Sequence, residues 1–397
     1  MKVLVIGSRV PFPLHDGGAI ATYNLLKGLA GTGIEVSFAT LNTKKHFADD
    51  GIVQKEFSFV KRIVTHYINT DISLVDAFKN LFSSDSYNVE RFYSRTFEET
   101  LLGLIREHHY DIIHFEGLFV AKYAHAIRRI THAKLLLRQH NIEFHIWKTL
   151  AGASSSLLKR TYLNLLASRM ERFEKSILPV FDAIVAITDS DRKEMESMGY
   201  SGKLESIPAG IDIKAKLSTR IDYKSIYHIG SMEWLPNRQA MEWFRQDIWP
   251  LISSGDPEAA FFMGGKNMPE HYKNWGTDKF HVAGEIHDLE TFTEDKSILV
   301  VPLKSGSGIR IKTIEAMLAG KAVVTTSQGA LGLAVRHKEH CLIADSAEEF
   351  AQAVLTLLSD HEMRNKLADN GRQFASEHFG NEAVSRRWAD FYTRLLG

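Results

Sequence analysis

The stretch Val300-Val301-Pro302-Leu303-Lys304-Ser305-Gly306-Ser307-Gly308-Ile309-Arg310-Ile311-Lys312-Thr313-Ile314-Glu315-Ala316-Met317 decides how this chain folds. Residues 298–303 read as an apolar strand. A Gly-x-Gly loop follows, and then a helix that continues to Leu318. Glycines let backbone N–H groups approach a ligand closely, and a helix N-terminus favours anions. Arg310 and Lys312 add donors suited to phosphate oxygens. Glu315 can accept two hydroxyl hydrogen bonds of the kind a ribose offers. At the start of a helix its carboxylate is expected to stay ionised. Together these residues describe a site for a nucleoside diphosphate carrying a polyol. An ordinary strand–loop–helix crossover with surface cations has the same pattern.

Outward from this stretch, strands and helices alternate. Residues 2–6 read as a strand. After the loop Pro11-Phe12-Pro13-Leu14-His15-Asp16-Gly17-Gly18, a helix is expected over 19–30 and a second strand over 35–41, which makes a βαβ unit. Further strands are expected at 111–115, 134–138 and 183–188. A long helix at 154–177 carries one apolar stripe, which suits core packing, a membrane surface or a partner. Pro208-Ala209-Gly210-Ile211-Asp212 reads as a hinge. A second α/β series has strands at 226–229, 259–263, 280–282, 298–303, 322–326 and 341–344, with closing helices near 347–358, 361–376 and 382–396. The expected architecture is α/β, with two doubly wound parallel-sheet, Rossmann-like domains facing a cleft. The boundaries are 1–212 for the N-terminal domain, 213–378 for the nucleotide-binding domain, and 379–397 for a terminal helix that crosses back.

With 397 residues, 44% apolar and 24% charged, the composition is that of a globular protein with room for two or three cores. Net charge is zero, so nothing global points to nucleic acid. Residues 1–180 carry 23 Lys and Arg against 17 Asp and Glu, and residues 181–397 carry 25 against 31. A basic first half suits an anionic acceptor or a membrane surface, and a modest fluctuation gives the same figures. Cys341 is the only cysteine, which fits a reducing cytoplasm. The apolar start is too short for a signal-peptide core, and no apolar run approaches a membrane span. The expected place is the cytoplasm, with the inner face of the membrane as the alternative.

The chain resembles the retaining glycosyltransferases of family 4, which have the GT-B fold. The resemblance is carried by Gly230-Ser231-Met232-Glu233-Trp234-Leu235-Pro236-Asn237 and by Gly306 to Met317. Asp16-Gly17-Gly18, Arg138-Gln139-His140-Asn141-Ile142-Glu143, the hinge at 208–212 and Gly329-Ala330-Leu331-Gly332-Leu333 support it. It implies a nucleoside diphosphate sugar as donor substrate and no further cofactor. The implied donor contacts are Gly17, Gly18, Gly230, Ser231, Glu285, Ile286, Gly306, Ser307, Gly308, Ile309, Arg310, Lys312 and Glu315. Glu315 matches the family carboxylate that binds the ribose. Family members often carry Glu-x7-Glu here, and Ser307 stands at the first position. Relatives often hold the diphosphate with an Arg/Lys pair after the Gly230 strand. That region offers Arg238, so Arg310 and Lys312 are expected to take over the charge.

The resemblance assigns the acceptor pocket to the N-terminal domain. Glu116 ends a strand where relatives often have a His, and is expected to act as a base or a positioning carboxylate. A solvated strand-end acid is the alternative. His140 ends the next strand and is similar to a recurrent family His; a core or capping His is its alternative. The catalytic set is therefore Glu116, His140, Arg310 and Lys312. Asp189-Ser190-Asp191 spells a metal-binding Asp-x-Asp but opens a helix, where Asp and Ser cap. The spacing of His140, Glu143 and His145 does not share one helix face. No metal is expected. The first βα turn lacks Gly-x-Gly-x-x-Gly, which argues against a nicotinamide dehydrogenase. The expected activity moves a hexose-type sugar to a glycan, lipid-linked or other hydroxyl acceptor. The rivals are a nucleotide-sugar epimerase and a non-catalytic nucleotide-sugar-binding scaffold.

Overall fold

A computed structural model describes residues 1–14, 16–73, 80, 85–154, 156–212, 222–306 and 310–397. The chain forms two compact units, Met1–Ile211 with Asn381–Gly397, and Asp212–Gly380. It crosses from one to the other at 211–212 and returns at 380–381.

The first unit is built on strands β1 (Lys2–Gly7), β2 (Glu35–Thr43), β3 (Arg62–Ile68), β4 (Ile112–Glu116), β5 (Lys134–Gln139), β6 (Ala183–Ala186) and β7 (Lys203–Ser206). They form one sheet in the order β3-β2-β1-β4-β5-β6-β7, every pair parallel. The central strands are apolar on both faces, as a sheet covered by helices on each side requires. Val3 and Val5 point into one core layer, with Ile112 and Leu136. Leu4 and Ile6 point into the other, with Ile113, Phe115, Leu135 and Leu137. Strand order reverses between β1 and β4, where Gly7 lies opposite Glu116. Ligands gather beyond the strand ends at such a switch point.

The terminal helix Asn381–Leu396 belongs to this first unit. Its Val384, Trp388, Phe391, Tyr392 and Leu395 enter the layer that holds Val3 and Val5. Its first N–H is donated to the Ile211 carbonyl at 3.0 Å.

The second unit has β8 (Asp222–Ile229), β9 (Ala260–Gly264), β10 (Phe280–Gly284), β11 (Lys296–Val301), β12 (Ala322–Thr325) and β13 (Leu342–Ile343). Their order is β10-β9-β8-β11-β12-β13, again all parallel. The switch point lies between β8 and β11. The decisive stretch opens as β11, and its helix is Ile311–Leu318.

Two strands differ from the sequence reading. β3 and β7 are edge strands of mixed polarity, mostly half-buried, so neither has the apolar run that marks the interior strands. The helix expected over 154–177 is the second arm of a pair, Glu143–Gly152 and Leu157–Ile177. Ser156 starts the second arm by accepting the Lys159 N–H. Among the described residues, no helix is long and apolar enough to cross a membrane.

Candidate active site

In the first unit, a cavity of about 600 Å³ lies beyond the ends of β1, β4 and β5. Gly7, Gly18, Glu116, Gln139, His140 and Glu143 are in its lining. Glu116 is the last residue of β4 and faces the layer capped by the terminal helix. It is 3% exposed. One carboxylate oxygen accepts from Arg138 at 2.8 Å, His140 Nε2 at 2.8 Å and Thr22 Oγ1 at 3.0 Å. The other accepts from His114 Nε2 at 3.0 Å. Since His114 Nε2 donates, its Nδ1 accepts, and the Tyr392 hydroxyl donates to it at 2.5 Å. Burial opposes charge on Glu116, but the Arg138 guanidinium, His140 and the hydrogen bonds hold its carboxyl well below the usual carboxylate range. Burial keeps His114 neutral by lowering its pKa, against the pull of Glu116. Arg138 is fully buried, its guanidinium 5.6 Å from the Trp388 ring.

This geometry separates the two roles expected for Glu116. A carboxylate that is ionised, buried and bound by four donors is a poor proton acceptor and a strong positioning group. The solvated strand-end reading is excluded by its burial. His140 is about one-quarter exposed at the cavity wall. Glu116 fixes its Nε2–H, which leaves Nδ1 as the ring's second polar atom.

The Asp16-Gly17-Gly18 loop works as a cap. Asp16 accepts from the Gly18 and Ala19 N–H groups and pairs with Arg9 through both oxygens. Gly17 starts the helix Gly17–Gly31, and Gly18 reaches the cavity wall. The Asp189–Asp191 segment is also helix-terminal, but Thr188 is the capping residue, accepting the Asp191 N–H at 3.0 Å. Asp189 is paired with Arg192 and Lys193. Among the described residues, no group of three or more His, Cys, Asp or Glu side chains is arranged to hold a metal ion.

In the second unit, a cavity of about 340 Å³ opens at the end of β8. Its lining includes Gly230, Trp234, Asn237, Arg310, Lys312 and Glu315. Lys312 Nζ donates to Asn237 Oδ1 at 2.9 Å and to His228 Nε2 at 3.3 Å. His228 can act as that acceptor because its Nδ1–H is spent on the Val300 carbonyl at 2.9 Å. Burial, reinforced by Arg310, pushes the Lys312 ammonium down to about 7. Arg310 is the N-cap residue of the helix Ile311–Leu318. It is buried, donates to the Gly306 carbonyl at 2.9 Å, and lies 5.2 Å from the Trp234 ring. Gly306 has φ +107°, and a Cβ there would come within 2.5 Å of the Trp234 indole. At Gly230 a Cβ would lie 2.6 Å from Asn237 and 3.0 Å from Lys312 Nζ. Both glycines make room for neighbouring side chains, Trp234 at Gly306 and Asn237 and Lys312 at Gly230, where the sequence reading expected close approach to a ligand.

Glu315 departs from expectation. It is the fifth residue of its helix and makes no capping hydrogen bond. Burial raises its carboxyl pKa, so the stabilisation expected from the helix dipole is outweighed by desolvation. Among the described residues nothing hydrogen-bonds or ion-pairs with its carboxylate. Its acceptors therefore face the cavity unused.

Of the remaining expected donor contacts, Ser231, Glu285, Ile286 and Gly306 are not among the described residues that line this cavity. The Ser231 carbonyl holds Asn237 Nδ2 at 2.9 Å. Glu285 is half-exposed, 4.0 Å from Lys266, and Ile286 packs over Gly264 at the end of β9. Ser307, Gly308 and Ile309 lie outside the described residues. Sequence reasoning missed His114, Arg138, Tyr392, His228 and Asn237 as partners. A cation or imidazole within an apolar strand was the available signal.

The family model described as Glycosyltransferase Family 4 matches residues 15–215. The chain belongs to that family. A second model, Glycosyl transferases group 1, matches residues 223–360, which span β8 to β13 and the second cavity. Like other family members, the chain has a GT-B fold. It is similar to sucrose-phosphate synthase from Thermosynechococcus elongatus, with TM-score 0.67, 17% identity, and 100% and 99% of the two chains covered. It is also similar to Anabaena Alr3699/HepE, solved with UDP-glucose, with TM-score 0.63, 14% identity, and 99% and 100% covered. A Klebsiella pneumoniae relative, described as an uncharacterized 44.6 kDa protein in the cps region, is 23% identical over 96% of this chain and 97% of its own.

Proposed function

We propose that this family 4 glycosyltransferase moves a hexose-type sugar from a nucleoside diphosphate to a hydroxyl of a glycan or lipid-linked acceptor, with retention and without a metal ion. The observation that carries the reading is the second unit's cavity. It has a buried arginine at a helix N-terminus, a lysine ammonium on the wall, and a carboxylate with unused acceptors one helical turn further on. Arg310 and Lys312 match a diphosphate, and Glu315 matches the two hydroxyls of a ribose. The UDP-glucose held by the Anabaena relative supports a sugar nucleotide of this kind.

The bond from the anomeric carbon to the diphosphate oxygen breaks, and charge develops on the departing phosphate. Fixed cations in a poorly hydrated pocket stabilise that charge. The acceptor oxygen bonds to the anomeric carbon from the same face, and its proton passes to a phosphate oxygen of the leaving group. No pair of carboxylates is needed for that route. His140, oriented by Glu116, positions substrate in the first unit's cavity. Glu116 itself is a positioning residue.

The test is calorimetry with nucleoside diphosphates, followed by turnover of the matching sugar nucleotide with and without EDTA. Transfer that needs an acceptor hydroxyl and survives chelation supports the reading. Release of free nucleotide without an acceptor favours an epimerase, and binding without any turnover favours a scaffold. Loss of turnover that Mg²⁺ or Mn²⁺ restores defeats the metal-independent part.

A further inference from the structure

The helices Glu143–Gly152 and Leu157–Ile177 pack on each other through Ala151, Leu163 and Leu166, with Trp147 and Tyr162 alongside. The first helix lies alongside the later part of the second, with Lys148 on Glu171 and the Phe144 N–H on Glu174, so the opening turn of the second helix makes the tip of the pair. That tip is apolar and uncovered. Leu157 is 78% exposed and Leu158 86%, and Ile146 and Leu150 are exposed one turn apart on the first helix. A single exposed leucine is ordinary on a protein surface. Two adjacent leucines left almost bare in the first turn of a helix are apolar surface that a covering phase would remove from water.

The charge around the tip identifies that phase. Residues 144–170 contain Lys148, Lys159, Arg160 and Arg169 and no Asp or Glu. Lys159 and Arg160 follow directly after the two bare leucines and are exposed. Among the described residues neither is ion-paired, whereas Lys148 is held by Glu171 at 2.8 Å. Unpaired cations beside exposed leucines suit an interface with an apolar interior and an anionic surface, where each basic side chain adds to the attraction. A soluble protein partner would need a complementary acidic groove, and nothing on this chain calls for one.

We infer that the tip formed by Leu157, Leu158, Lys159 and Arg160 docks on an anionic lipid bilayer, with the leucines entering the headgroup boundary and the cations on lipid phosphates. The first helix starts at Glu143, in the wall of the first unit's cavity. The docking tip and that cavity belong to the same compact unit. A lipid-linked acceptor is the substrate class this arrangement suits, and that step rests on the proposed transferase reading.

Docking can be read without turnover. The full chain is sedimented with phosphatidylcholine vesicles, with and without about one-third phosphatidylglycerol. Binding to the anionic vesicles that weakens with salt is expected. Leu157→Ser/Leu158→Ser and Lys159→Glu/Arg160→Glu should each weaken it about tenfold or more while leaving the thermal melt unchanged, because these side chains are exposed. No binding to anionic vesicles, or equal binding by both variants, overturns the inference. So does a concentration-dependent dimer that the leucine variant abolishes, since a second copy would then be the occupant. An inactive donor site would leave the vesicle result unchanged.

Discussion

Lys312→Met should make the free protein more stable while removing diphosphate binding. The Lys312 ammonium stands near 7 instead of its ordinary 10.5, because burial and Arg310 both oppose its charge. At full strength that displacement costs the folded state about 5 kcal/mol. The side chain is largely buried, and local relaxation and water penetration at the cavity wall offset roughly half of the cost. Losing the bonds to Asn237 and His228 returns about 1 kcal/mol. The net expectation is a gain of about 1–2 kcal/mol at neutral pH, read as a rise in Tm of roughly 2–8 °C. The folded value lies below the unfolded one, so the unfolded chain binds more protons between about pH 7 and about 10.5. The penalty is therefore complete below pH 7 and fades as pH rises. Wild type should close the gap to the variant across that window. Binding a diphosphate restores the lysine's charge, so wild type should take up a proton on binding above pH 7 and lose affinity as pH climbs, and the variant should do neither. Thermal melts from about pH 6.5 to about 9, with titrations of UDP in buffers of different ionisation enthalpy, read both effects. A variant less stable than wild type at pH 7, or one that keeps wild-type diphosphate affinity, would show that Lys312 is neither strained in the free protein nor a diphosphate ligand.

Glu315→Gln keeps the shape but replaces an acceptor oxygen with a donor, and should lower kcat/KM by about 2–4 kcal/mol. Comparing ribose and 2′-deoxyribose donors checks this, because the variant should lose wild type's preference for ribose. Glu116→Gln leaves the Arg138 charge buried without its partner and should cost about 3–5 kcal/mol in urea unfolding. His140→Ala removes one of the four donors to Glu116 and should lower turnover strongly while costing about 1.5–3 kcal/mol of stability, less than Glu116→Gln. A large unfolding effect for His140 and none for Glu116 would reverse the roles assigned to them.

Much of this protein was legible because its chemistry and its fold share the same local signals. The run from Val300 to Met317 shows a buried strand, a glycine loop and a helix start, and its cations and carboxylate are the ones that meet in the second cavity. The central strands announced themselves by being apolar on both faces. The edge strands β3 and β7 did not, because an edge has only half a core to satisfy. The first cavity was only partly readable. Glu116 and His140 stand out at strand ends, but their supports come from afar. Tyr392 is 278 residues from His114, and no local pattern links them. Glu315 shows the limit of one-dimensional electrostatics. Its helix position suggested an easily ionised acid, whereas the depth of the pocket, which sequence does not display, raises its pKa.

The proposed function stands on a nucleoside diphosphate site in the second unit. The most direct test is calorimetric titration of wild type and Arg310→Ala with UDP, GDP and ADP and with the matching nucleosides. One diphosphate should bind more tightly than its nucleoside, and Arg310→Ala should remove about 1.5–3 kcal/mol from the diphosphate and little from the nucleoside. Equal losses for both ligands, or no diphosphate bound more tightly than its nucleoside, would contradict it.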